Sequence, residues 1–158
     1  MRYILSKDIR KRPALRHMLT GLALLLLIFT LAAFFQHYLK GYLDPVQLRG
    51  LIAGDPELFM EPMILVDLLE TVHVNLFLYT FALLLVFSLY LHHPDREIKK
   101  QIWMIAAFAA LILDNAGWFA VHYLDGGFAY LKIAADFSLH FMMVLMLFKS
   151  LYFLGRKR

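Results

Sequence analysis

Apolar residues fall along this chain in four long blocks, parted by shorter stretches that hold most of the charges. A helix that crosses a bilayer needs roughly 20 mostly apolar residues, because the hydrocarbon layer is about 30 Å thick and a helix rises 1.5 Å per residue. The pattern predicts four such helices. The first runs from about Ala14 to Leu39 around the core Leu22–Phe35, the second from about Met63 to Leu91, the third over about Ile102–Leu124 and the fourth over about Phe128–Leu154. The expected fold is an all-α integral membrane protein: one domain over residues 1–158, an antiparallel four-transmembrane-helix bundle. The basic start of the first block suits a signal peptide, but its apolar run is long and no clear A-x-A site follows, so a retained span is expected.

The connections carry turn chemistry. Asp125-Gly126-Gly127 is a tight turn that makes an antiparallel hairpin of the third and fourth spans. His92-His93-Pro94-Asp95 ends the second span, since the residue before proline disfavours helix. In the first loop Asp44 can cap a short helix that begins with Pro45 and closes at Gly54, and Asp55-Pro56 repeats the start signal. One or two short interfacial helices are expected there, held at the headgroups by Tyr42, Leu51, Leu58 and Phe59.

Composition sharpens this picture. Apolar residues make up 61% of the chain, against roughly 45–50% in a soluble domain. That excludes a disordered chain and an ordinary soluble globule. Cysteine is absent, which excludes disulfides, iron–sulfur clusters, thiolate metal sites and c-type haem attachment. Charge is distributed by side. Arg2, Lys7, Arg10, Lys11, Arg12 and Arg16, then Arg96, Lys99 and Lys100, then Arg156, Lys157 and Arg158 would share one face of the membrane, while the first loop is acidic through Asp44, Asp55, Glu57 and Glu61. The positive-inside rule puts both termini in the cytoplasm and the chain in the cytoplasmic (inner) membrane. The asymmetry accounts for the net charge of +4 without nucleic acid as a partner.

Candidate chemistry lies inside the spans, where even a lenient scale charges about 2.5–3.5 kcal/mol for a central ionised side chain. The second span carries Asp67, Glu70 and His73, the third Asp114 and Asn115, the fourth Lys132, Asp136 and His140. At about 100° per residue, Glu70, His73, Thr80, Ser88 and His92 share one stripe. Ala129, Lys132, Asp136, His140, Met143, Leu147 and Ser150 share another, and Trp103, Ala107, Ala110, Asp114, Gly117, Trp118 and Val121 a third. Polar faces are expected to point into the bundle. By depth, Glu70, His73, Asp114, Asp136 and His140 would then converge to within about 6 Å.

Three readings follow. In the first, His73 and His140 on diagonal helices clamp a b-type haem, with Ala107, Ala110 and Gly117 making room, in an electron-transport subunit of a respiratory complex. In architecture alone this resembles the membrane four-helix cytochromes of the b type, although His73 and His92 are too far apart for the paired spacing of two-haem members. In the second, Glu70, His73, Asp114, Asp136 and His140 bind a mononuclear metal ion such as iron, manganese or zinc. Glu70-x-x-His73 has the spacing of di-iron bundles, which use it twice where this chain has it once. A proton relay is a variant. In the third, the charges pair among themselves, Lys132 with Asp136 among them, and no cofactor is bound. The chain is then an accessory subunit that contacts lipid, other membrane subunits or further copies of itself. His37 and His122, both near the outer surface, could form a second haem site or be interfacial histidines bonded to water or headgroups, and Phe137, Phe141, Phe148 and Tyr152 read as a lipid or partner face.

Overall fold

The structure is a computed structural model that describes residues 12–156. The basic residues Arg2, Lys7, Arg10, Lys11, Lys157 and Arg158, and the side chain of Leu58, lie outside the described residues. Five α-helices follow in order: α1 Pro13–Leu39, α2 Pro45–Ala53, α3 Leu65–Tyr90, α4 Glu97–Tyr123 and α5 Phe128–Gly155. The four long ones have 26–28 residues and are apolar enough to cross a membrane. Their length, about 39–42 Å at 1.5 Å per residue, exceeds the hydrocarbon layer. The bundle presents to its surroundings what a soluble protein would hide: Leu25, Ile105, Ile112 and Phe77 are each more than 60% exposed. The aromatic face expected on α5 is outward as well, with Phe137, Phe141, Phe148 and Tyr152 all more than half exposed.

Local sequence sets the helix ends. Proline stands at the first position of both α1 and α2, where its missing N–H costs nothing and its fixed φ suits the helix. The Asp44 carboxylate accepts from the backbone N–H of Val46 at 2.8 Å and of Gln47 at 3.3 Å, as its position before Pro45 predicts. The close of α1 depends on Gly41, at φ 73°. There the Tyr42 N–H donates to the His37 carbonyl (3.0 Å) and the Gly41 N–H to the Tyr38 carbonyl (3.1 Å), the paired bonds of a Schellman stop. The α4 helix begins five residues before the expected Ile102, because the polar turn at Glu97–Gln101 is helical too. Lys100 is buried in that turn and donates to the Leu91 carbonyl at 2.9 Å, which ties the loop to the helix.

The α5 helix is the centre of the bundle. It packs most closely on α4, then on α1 and α3, and also meets α2, while α1 leans on α5 and more lightly on α3. Two apolar cores flank a polar layer on α5. One gathers Leu83, Val86, Phe87, Ala107, Leu111, Leu139, Met143 and Leu147. The other gathers Leu48, Ile52, Leu68, Trp118, Val121 and Ala129. The short helix α2 is therefore more than a headgroup anchor: Leu48 and Ile52 are fully buried against the bundle, and the His122 ring stands 3.1 Å from the Ile52 carbonyl. Among the proposed anchors Tyr42 and Leu51 are half-buried, and Phe59 is 95% exposed.

At the end of the bundle that carries the α3–α4 loop, Asp95 accepts from the Tyr90 hydroxyl at 2.7 Å and from Lys149 at 3.2 Å. Burial opposes ionisation of Asp95, but these two donors outweigh it and hold the carboxyl below its ordinary range. His93 stacks on Tyr90, leans on Phe153 and lies 3.5 Å from Asp95. Burial lowers the His93 pKa; Asp95 pulls it back, and Lys149, Lys100 and Lys99 add to the lowering. A histidine with a depressed folded pKa binds its proton more readily in the unfolded chain. The protein therefore loses stability as pH falls from about 6.5 toward the lower folded value. A His93→Phe variant is expected to flatten the thermal-midpoint profile as pH falls below about 6.5. An unchanged slope would assign that loss to another group.

Candidate metal centre

The stripe on α5 places Lys132, Asp136 and His140 one turn apart on its buried face, with exposures of 1%, 1% and 3%. Each needs a partner there, since an unpaired charge in a low-dielectric interior costs several kcal/mol. The stripe divides between two neighbours. Lys132 turns to α4 and donates to the Asp114 carboxylate at 2.8 Å, with its ammonium 4.6 Å from the centre of the Trp118 ring. The pairing expected between Lys132 and Asp136 is thus replaced by one with Asp114. The helices meet closely enough for this because residue 117 is glycine: a Cβ there would stand 2.7 Å from the Lys132 Cβ.

Asp136 and His140 turn to α1. His37, in the last turn of that helix, places Nδ1 3.0 Å from Asp136 Oδ1, and His140 Nδ1 lies 3.3 Å from the same oxygen. His140 Nδ1 is also 2.9 Å from the backbone carbonyl of Asp136. From α3 the Tyr79 hydroxyl reaches His140 Nε2 at 3.1 Å. The two imidazole rings are 5.6 Å apart at an interplanar angle of 74°, and Phe34 packs edge-on against His140. Tyr42 closes the other side of His37 at 5.7 Å. One ligand atom from each of His37, Asp136 and His140 lies within 4.8 Å of the other two, and all three residues are buried. The second carboxylate oxygen of Asp136 is buried with no hydrogen-bond partner among the described residues.

The expected convergence of five residues is therefore only partly met. Asp136 and His140 come together. Asp114 is buried nearby but engaged by Lys132. Glu70 and His73 are on the outside of the bundle, both exposed. The reason is the roll of α3: its inward face is Leu68, Tyr79, Ala82, Leu83, Val86 and Tyr90, half a turn from the Glu70–His73 stripe. His73 and His140 consequently do not face each other across the core, which removes the geometry on which a haem between them would depend.

Two members of the cluster escape the sequence reading. His37, at the outer end of the first span, reads as a second site with His122 or as interfacial, yet the Schellman stop turns the chain back and Tyr42 covers the ring. Tyr79 carries a readable signal, a hydroxyl in mid-span that requires a partner, on the same face as Ala82, where a small residue permits close approach of helices.

Residues 50–158 match the model of the family Aq_1264_TM, described as a transmembrane helical domain. That stretch contains α3, α4 and α5, hence Tyr79, Asp114, Lys132, Asp136 and His140, while His37 precedes it. No curated protein and no solved structure matches the chain.

Proposed function

We propose that this chain, which belongs to the Aq_1264_TM family of transmembrane helical domains, is a multi-pass membrane protein that holds one divalent transition-metal ion between His37, Asp136 and His140. The observation that carries the reading is the closeness of those three ligand atoms in a buried site. Metal–ligand bonds of about 2.0–2.1 Å in a tetrahedral arrangement put ligand atoms about 3.3 Å apart. The carboxylate oxygen lies 3.0 and 3.3 Å from the two imidazole nitrogens. Two nitrogens and a carboxylate suit iron, manganese or zinc, whereas calcium and magnesium prefer oxygen alone and copper(I) prefers thiolate. The orphaned Asp136 Oδ2 offers a further donor.

Tyr79 completes the arrangement from behind. A ligating histidine is held in place by a partner on its other nitrogen. The Tyr79 hydroxyl both donates and accepts, so it can receive an N–H from His140 Nε2 once Nδ1 is taken by the ion. Three protein ligands leave a coordination position open. Iron or manganese held there would supply one-electron redox chemistry, and zinc would clasp α1 to α5 through His37, Asp136 and His140.

The test is elemental analysis of protein purified in mild detergent, paired with a reduced-minus-oxidised absorbance spectrum. The expected result is about one transition-metal ion per chain and no Soret difference, with His37→Ala and His140→Ala metal-free. Tyr79→Phe is expected to weaken binding about 10–100-fold while leaving the ligands in place. A sharp Soret and α-band difference would replace the ion with haem. Equal metal content in wild type and ligand variants would reduce the cluster to a hydrogen-bonded proton relay.

A further inference from the structure

The outward stripe of α3 is out of keeping with a helix that faces lipid. Asp67, Glu70 and His73 are all exposed, and Phe77, Phe81, Leu84 and Ser88 continue the same face toward the other end. Asp67 has a local reason to be there, since it stands in the first turn of α3, where an acid complements the helix dipole. Glu70 and His73 have none. They lie about 7.5 and 12 Å along the helix axis from Leu65, and neither has an ion-pair or hydrogen-bond partner among the described residues. Ionisable side chains within membrane spans nearly always face protein or a water-filled cavity. On the same face a groove of about 340 Å³ is lined by His73, Leu76, Phe77, Thr80, Phe81 and Leu84, all from α3, so none of the other described helices covers it.

We infer that this face is the contact between two copies of the chain, related by a two-fold axis along the membrane normal. The stripe is complementary to itself. It offers an acid and an imidazole three residues apart, so in a parallel α3–α3 pair Glu70 of each copy reaches His73 of the other, and the bond is made twice. A two-fold contact has this reciprocity by construction. The groove has a natural occupant in the same arrangement, because Phe77 stands at its rim and is 66% exposed. Each copy seats that ring in the groove of the other. Pairing Glu70 with His73 removes from lipid two ionisable groups that the fold itself leaves uncovered. Neither residue touches the His37–Asp136–His140 cluster, so this contact stands or falls independently of the metal.

The chain has no cysteine, so single introduced cysteines report without background. Leu84→Cys and Ser88→Cys on this face are oxidised in native membranes, beside Leu25→Cys on α1 and Ile105→Cys on α4, which are 66% and 69% exposed on other faces. The expected result is a disulfide-linked band of twice the chain's mass from the two α3 variants and none from the other two. Adding Glu70→Gln and His73→Leu is expected to lower the yield severalfold. No dimer band from the α3 variants, or equal bands from all four, would overturn the proposal. So would a cross-linked band of another mass, which would give the face to a different protein.

Discussion

Lys132→Met is expected to destabilise the protein by about 3–5 kcal/mol, the cost of removing one partner from a buried ion pair and leaving the other charge alone. Methionine keeps most of the length and volume of the lysine stem, so the loss reports the charge. Asp114 is wholly buried, and its second oxygen has no partner among the described residues. Without the ammonium at 2.8 Å it must take up a proton or open the α4–α5 contact. Asp114→Asn in the same background is expected to restore most of the stability, since a pair exchanged for neutral groups is often close to neutral. Denaturant unfolding in mild detergent, run as a double-mutant cycle, gives the coupling directly. Additive single effects would mean that the pair contributes nothing as a pair.

The second large effect is expected at Asp136. Asp136→Asn keeps the size of the side chain and an acceptor between His37 and His140, but it removes the negative charge and a ligand oxygen. Loss of a ligand should exceed the roughly 10–100-fold cost of losing a supporting residue, so metal content should fall to background while the helical content stays. Glu70→Gln and His73→Ala, on the outer face, should keep full loading. Metal retained in the Asp136 variant and lost in the outer pair would exchange the two sites.

The same comparison shows how far the sequence was legible. Spans, turns and the Asp44 cap follow from hydropathy and local chemistry, which act within a few residues and need no knowledge of neighbours. The α5 stripe is legible because Lys132, Asp136 and His140 continue one face with Ala129 before them and Met143 and Leu147 after, so polar and packing signals coincide. On α3 they oppose each other. The charged stripe is interleaved with the bulky Phe77, Phe81 and Leu84, while the single alanine, Ala82, sits half a turn away beside Tyr79. The rule that polar faces turn inward assumes that each helix satisfies its charges inside its own chain. The roll of α3 follows packing instead, and its charges are left for another surface. His37 was hidden for a different reason. Its partners are 99 and 103 positions away, and its burial depends on a chain reversal just beyond it.

That separation has a consequence for how the protein is made. The cluster joins α1 to α5, two helices whose synthesis is separated by that of α3 and α4. While α3 and α4 are being synthesised, His37 has neither Asp136 nor His140 to meet, and the three-residue cluster cannot form until residue 140 has entered the bilayer. The α5 helix also brings in the most costly cargo, a lysine and an aspartate on one face. It enters directly behind α4, joined by the Asp125-Gly126-Gly127 turn, so that Asp114 is at hand when Lys132 leaves water. Insertion of the hairpin as a unit neutralises that charge first, and closure of α5 against α1 then completes the cluster.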